Sequence, residues 1–83
     1  MKFFHITNVR AFLERVLKCQ GSVRIVERDG SERDLKRIAR DMLASGMADR
    51  IECIREIDLI IERASDKGLL LNFAVQMQDR RVG

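Results

Sequence analysis

The stretch from Asp34 to Leu43 constrains the fold of this chain more than any other. At about 100° per residue, Leu35, Ile38, Ala39, Met42 and Leu43 share one helical face, while Arg33, Lys36, Arg37 and Arg40 cluster on the other. The apolar stripe requires a core to pack on; the basic side requires only water or an anion. The helix must therefore be one layer of a packed domain, and the rest of the chain must supply the surface it covers.

A second stripe precedes it. Val9, Phe12, Leu13, Val16 and Leu17 recur at helical spacing, which predicts a helix over residues 9–19. Thr7 or Asn8 is the expected cap, Lys18 suits the negative helix end, and Gly21 is the expected left-handed stop. Ser22 to Glu27 then carries β-branched residues and runs into Asp29-Gly30, a strong hairpin signal. The return strand, Ser31-Glu32-Arg33, is short and polar, as an edge strand would be. A rival reading makes Ser31 the start of a capping box with Asp34. The hairpin is preferred, with Asp34 capping a helix over 35–45, although this puts Lys36 and Arg37 in a first turn that disfavours cations.

Ser45-Gly46 ends that helix, and residues 47–55 fit either helix or strand. Residues 57–62 alternate as a strand, with Ile57, Leu59 and Ile61 on one side. Ser65 or Asp66 is the expected cap of a last helix burying Leu69, Leu70, Phe73, Ala74 and Met77, and residues 78–83 are expected to fray. Phe3, Phe4 and Ile6 supply one further strand. The expected architecture is α+β, a small two-layer single domain over 1–83 with helices on one face of a short mixed or antiparallel sheet. The order is (β)-α-β-β-α-β-α.

Composition narrows the function classes. The chain has 83 residues, 46% hydrophobic and 35% charged, a globular mixture with no proline and no linker. The N-terminus lacks a signal-peptide pattern and no stretch approaches a membrane span, so a cytoplasmic domain with no membrane partner is expected. Sixteen basic residues stand against thirteen acidic ones. A net charge of +3 is usually solvation, not a footprint. Arg80-Arg81 in the tail is the other local basic pair.

Phe12, Val16, Cys19, Gly21 and Val23, then Asp29-Gly30, then Leu35-Lys36, form a pattern that resembles a small family of uncharacterised clostridial proteins. Ile57 to Ile61 and Ser65-Asp66 are similar too, so the resemblance covers most of residues 8–78. It implies the same α–β–β–α–β–α order and carries no established activity or functional residues. Members are sometimes loosely labelled poly(A) polymerase. Such a nucleotidyl transferase needs a Gly-Ser turn near phosphate and two acids one residue apart aimed at divalent metal. Gly21-Ser22 and Glu32-Arg33-Asp34 only approximate that set, no third carboxylate is evident, and the chain is short for the substrate domains. That activity is not expected.

The remaining catalytic inventory is thin. His5 is the single histidine and reads as a strand or surface residue. The serines sit at turns and helix ends, where hydroxyls cap backbone donors. Cys19 and Cys53 lie far apart without metal-ligand spacing, and each reads as a small hydrophobe beside an apolar stripe. No catalytic residue, metal site or cofactor is expected. Two binding classes remain. One is a protein-interaction or regulatory module that meets a partner protein or itself, because Ile60, Leu71 and Val75 lie off the buried stripes. The alternative is weak nucleic-acid binding through Arg33, Lys36, Arg37 and Arg40, which lacks aromatic side chains for base stacking.

Overall fold

The computed structural model describes the backbone of residues 1–79 and the side chains of residues 1–75. The expectations for Met77, for residues 80–83 and for Arg80-Arg81 lie outside the described residues.

Among the described residues, four strands and three helices follow one another in the order β1 (Lys2–Ile6), α1 (Val9–Lys18), β2 (Val23–Val26), β3 (Glu32–Asp34), α2 (Leu35–Ser45), β4 (Ile54–Ile61) and α3 (Ala64–Asp79). A 3-10 turn, Met47–Arg50, follows α2 and resolves the ambiguous stretch, with β4 beginning only at Ile54. The sheet order is β1-β4-β2-β3 and every neighbouring pair is antiparallel, so of the two expected sheet types it is the antiparallel one. Since β1 and β2 both oppose β4, they are parallel to each other with β4 between them; likewise β3 and β4 flank β2. The chain is thus two interleaved split β-α-β units joined by the β2–β3 hairpin.

Local chemistry accounts for most boundaries. Asn8 caps α1 by accepting the Ala11 amide, and Asp34 caps α2 by accepting the Lys36 amide. In the hairpin, Gly30 takes φ +88° and donates to the Glu27 carbonyl, while Asp29 Oδ1 accepts from both the Ser31 amide and hydroxyl. Ser31 therefore belongs to the turn and not to a helix cap. Gly46, at φ +79°, is the left-handed stop of α2.

Two expected helix ends are corrected. Gly21 is not a left-handed stop: α1 ends on Cys19 in extended geometry, whose amide reaches Val16 O. Gly21 instead sits where an added Cβ would lie 2.8 Å from Arg63 Cγ, so it is small to admit a neighbour and not to allow a positive φ. Neither Ser65 nor Asp66 precedes α3, which starts at Ala64. Asp66 lies in the first turn, and its carboxylate leaves the helix to bond another loop.

The core is one cluster between the sheet and the helices. Phe3, Ile6, Val23, Ile57, Leu59 and Ile61 from the strands meet Phe12, Leu13, Val16, Leu35, Ala39, Leu70 and Phe73 from the helices. Phe12 links the layers, its ring centroid 6.2 Å from Phe3 and 6.1 Å from Phe73. α1 lies between α2 and α3, and all three cover one sheet face. The alternation of β1 breaks once: Phe3 and Ile6 point inward while Phe4 and His5 face out. His5 makes this possible with φ +54°, a left-handed conformation that costs of order 1 kcal/mol for a side chain of this kind. β4 breaks in step, because Arg55 and Glu56 are exposed between Ile54 and Ile57, and the register pairs Phe3 with Ile57 and Ile6 with Ile54.

Candidate functional site

The basic set on and before α2 is divided by the fold. Arg33 lies in β3, and its Nη1 stands 3.6 Å from Glu27 Oε1 across the hairpin. Lys36 turns away from solvent, and its ammonium donates to the Cys19 carbonyl at the end of α1. It is half-buried there and contributes to the field on Asp66. Arg37 and Arg40 are exposed and carry no ion pair among the described residues. Arg33 and Arg37 do meet, at a groove of about 370 Å³ that Asp34, Ile38 and Asp41 also line. Arg40 lies outside it. The single stripe expected from helical periodicity is corrected accordingly: one cation is spent on an α1 carbonyl, one is paired, and two carboxylates share the remaining groove.

A polar cluster that sequence reasoning missed joins three elements beneath Lys36. Asp66, only 4% exposed, accepts from the Gln20 and Gly21 amides at 3.1 and 2.8 Å. The Gly21 bond, opposed by burial and assisted by the Gln20 bond, holds its carboxyl below the ordinary aspartate value. Arg63, just before α3, donates to Gln20 Oε1. The cluster latches the α1–β2 loop to the N-terminus of α3. Its one nucleophile, the Cys19 thiol, is buried, and burial followed by the nearby Asp66 charge raises its pKa. A thiol held protonated in this way is a structural group, not a reactive one. The expectation for Cys53 is corrected: it precedes β4 on the exposed side of the chain, not in the core. Among the described residues, no three His, Cys, Asp or Glu side chains stand where they could share a metal ion, and no helix is long and apolar enough to cross a membrane.

One apolar exposure lies on α3. Leu70 and Phe73 enter the core, yet Leu71 and Val75 are 44% and 52% exposed on the opposite side, one helical turn apart. Gly68 shares that side, and a Cβ there would meet nothing within 4 Å. On the sheet face away from the helices, Phe4 and Ile60 are exposed among charged neighbours. Alternation and the i, i+3/i+4 rule anticipated Ile60, Leu71 and Val75, whereas Phe4 depended on the break at His5.

Comparison of the chain with protein-family models, with curated proteins and with solved structures found no match, so the functional reading rests on the geometry described above.

Proposed function

We propose that this domain is a non-catalytic protein-interaction or regulatory module, and that α3 meets a second copy of the chain through its outward face. The observation that carries the reading is the apolar pair on the side of α3 opposite the core, since neighbouring exposed apolar side chains mark a surface that meets a partner. Leu71 and Val75 supply the contact, and the missing side chain at Gly68 lets a second helix approach closely. Two exposed side chains make a small interface, so the association is a weak one.

Sedimentation velocity from micromolar to about millimolar protein tests it. The expected result is a concentration-dependent dimer that Leu71→Glu abolishes without lowering the thermal midpoint. A chain that is monomeric throughout overturns the reading.

A second reading, weak nucleic-acid binding through Arg33, Lys36, Arg37 and Arg40, draws support only from Arg37 and Arg40, whose guanidiniums have no ion pair among the described residues. The involvement of Lys36 with Cys19 and the carboxylates beside Arg33 place it second.

A further inference from the structure

The sheet is closed at one end and forked at the other. β2 pairs with β4 at Val23↔Ile61, Arg24↔Ile60 and Ile25↔Leu59, and the registered pairing stops there. β1 stays with β4 as far as Ile54, and β2 stays with β3 through Val26↔Glu32. Two ribbons therefore separate beyond Ile25 and Leu59, leaving a cleft of about 530 Å³ floored by Ile25 and Ile57.

Charges on the cleft walls are unevenly satisfied. Glu56 faces Lys2 Nζ at 3.8 Å, Glu27 faces Arg33 at 3.6 Å, and Asp58 faces the Met1 ammonium at 3.2 Å. Each carboxylate of the cleft thus has a cation of its own. Arg28 on the hairpin wall and Arg55 on the β4 wall have no ion pair among the described residues. Guanidiniums without an ion pair, one on each wall of a cleft, are groups suited to a planar oxyanion such as a carboxylate. Between them, β4 over Arg55–Ile57 has β1 on one side and no registered strand on the other, an open backbone edge of the kind that extended peptides join.

We propose that the fork between β2 and β4 binds an extended peptide segment of a partner protein, with one acidic side chain of that segment held between Arg28 and Arg55. The segment lies along the open side of β4, its flanking apolar side chains over Ile25 and Ile57. Glu27, Glu56 and Asp58 set the specificity. A nucleic-acid strand would bring a phosphate against these carboxylates at every step, whereas a peptide with a single central acid flanked by neutral residues does not. The site is on the sheet and separate from the outward face of α3, so it does not depend on self-association.

The test is an amide-resolved NMR titration of the full chain with a short synthetic peptide of Thr and Val residues around one central Glu. Shifts confined to residues 26–28 and 55–58 are expected. Replacing the peptide's Glu by Gln, or Arg28→Gln or Arg55→Gln in the protein, is expected to weaken binding about tenfold or more. Both arginines are exposed, so these variants keep the fold, which the unchanged spectrum elsewhere verifies. No shifts up to millimolar peptide overturns the site, and equal binding of the Gln peptide overturns the clamp. Equal shifts from inorganic phosphate or a short RNA overturn the peptide assignment, and fork shifts on diluting the protein alone reassign the cleft to a second copy. Leu71→Glu is expected to leave peptide binding unaltered, which separates this site from the α3 contact.

Discussion

The Asp66 carboxylate accepts the Gly21 amide at 2.8 Å, a bond between residues 45 apart in the chain that ties the start of α3 to the loop leaving α1. Its second oxygen takes the Gln20 amide, so one side chain satisfies two loop donors that no strand or helix reaches. Bonds from backbone N–H to an ionised carboxylate are among the stronger hydrogen bonds in proteins. The relationship makes one part of the domain's stability depend on pH.

Because the Gly21 and Gln20 amides stabilise the charged form, the folded-state pKa of Asp66 lies below its unfolded value of about 3.9. A depressed carboxylate contributes stability that is present above the unfolded pKa and lost as pH falls through the folded one. Asp66→Asn is expected to lower the urea midpoint at neutral pH more than Glu62→Gln, whose carboxylate is exposed. The gap between wild type and Asp66→Asn should narrow below about pH 4. Urea titrations at stepped pH check both statements; a constant gap would refute the assignment.

Gly21→Ala is expected to destabilise through crowding and not through backbone strain. The added Cβ meets Arg63 Cγ at 2.8 Å and approaches Asp66 Oδ2 at 3.4 Å. Arg63→Ala removes the first contact, so the double variant should recover part of the loss. A double-mutant cycle on unfolding free energies should give a coupling of roughly 0.5–1 kcal/mol or more. Additive effects would mean the loop shifts instead.

Gly68 sits inside α3, where glycine costs about 1 kcal/mol relative to alanine, and no neighbour occupies the space a Cβ would take. Gly68→Ala is therefore expected to raise monomer stability by up to about 1 kcal/mol. If α3 pairs with a second copy, the same change should weaken the dimer. Denaturation and sedimentation on one preparation read the two effects, which have opposite signs.

Thiol reactivity should separate the two cysteines. Cys53 is exposed, while Cys19 is buried with its pKa raised by burial and by Asp66. One equivalent of a disulfide reagent should react quickly with native protein, and the second only after denaturant is added. Cys53→Ser should abolish the fast phase.

Nucleic-acid binding, if present, must run through Arg37 and Arg40 more than Lys36. Arg37→Glu with Arg40→Glu should remove salt-dependent binding of short RNA, while Lys36→Met should mainly lower stability by releasing the Cys19 carbonyl. Loss of binding with Lys36→Met at unchanged stability would restore the single basic stripe.

Much of the fold was legible because it is encoded locally. Asn8, Asp34 and Gly46 mark helix ends through bonds or dihedrals spanning three residues or fewer, and Asp29-Gly30 specifies its own turn. The inward face of β4 follows from Ile57, Leu59 and Ile61 alone. The candidate site was less legible. Helical periodicity gives Lys36 a direction around the α2 axis but not the position of α1, whose terminal carbonyl draws the ammonium inward. Asp66 resembled a cap by residue type and spacing, and only the packing of α3 beside residues 20 and 21 assigned its true partners.

The sequence by itself determined the amphipathic faces, the helix ends at Asn8, Asp34 and Gly46, the hairpin and the order of elements, since each arises from residues within one or two helical turns. Tertiary structure decided the β1-β4-β2-β3 order, the left-handed His5, the Asp66 latch and the fork with Arg28 and Arg55 on opposite walls. These depend on which strands become neighbours and how far they stay together. That choice is made by the shared burial of Phe3, Val23, Ile57 and Phe12 across the whole chain, which no local window contains.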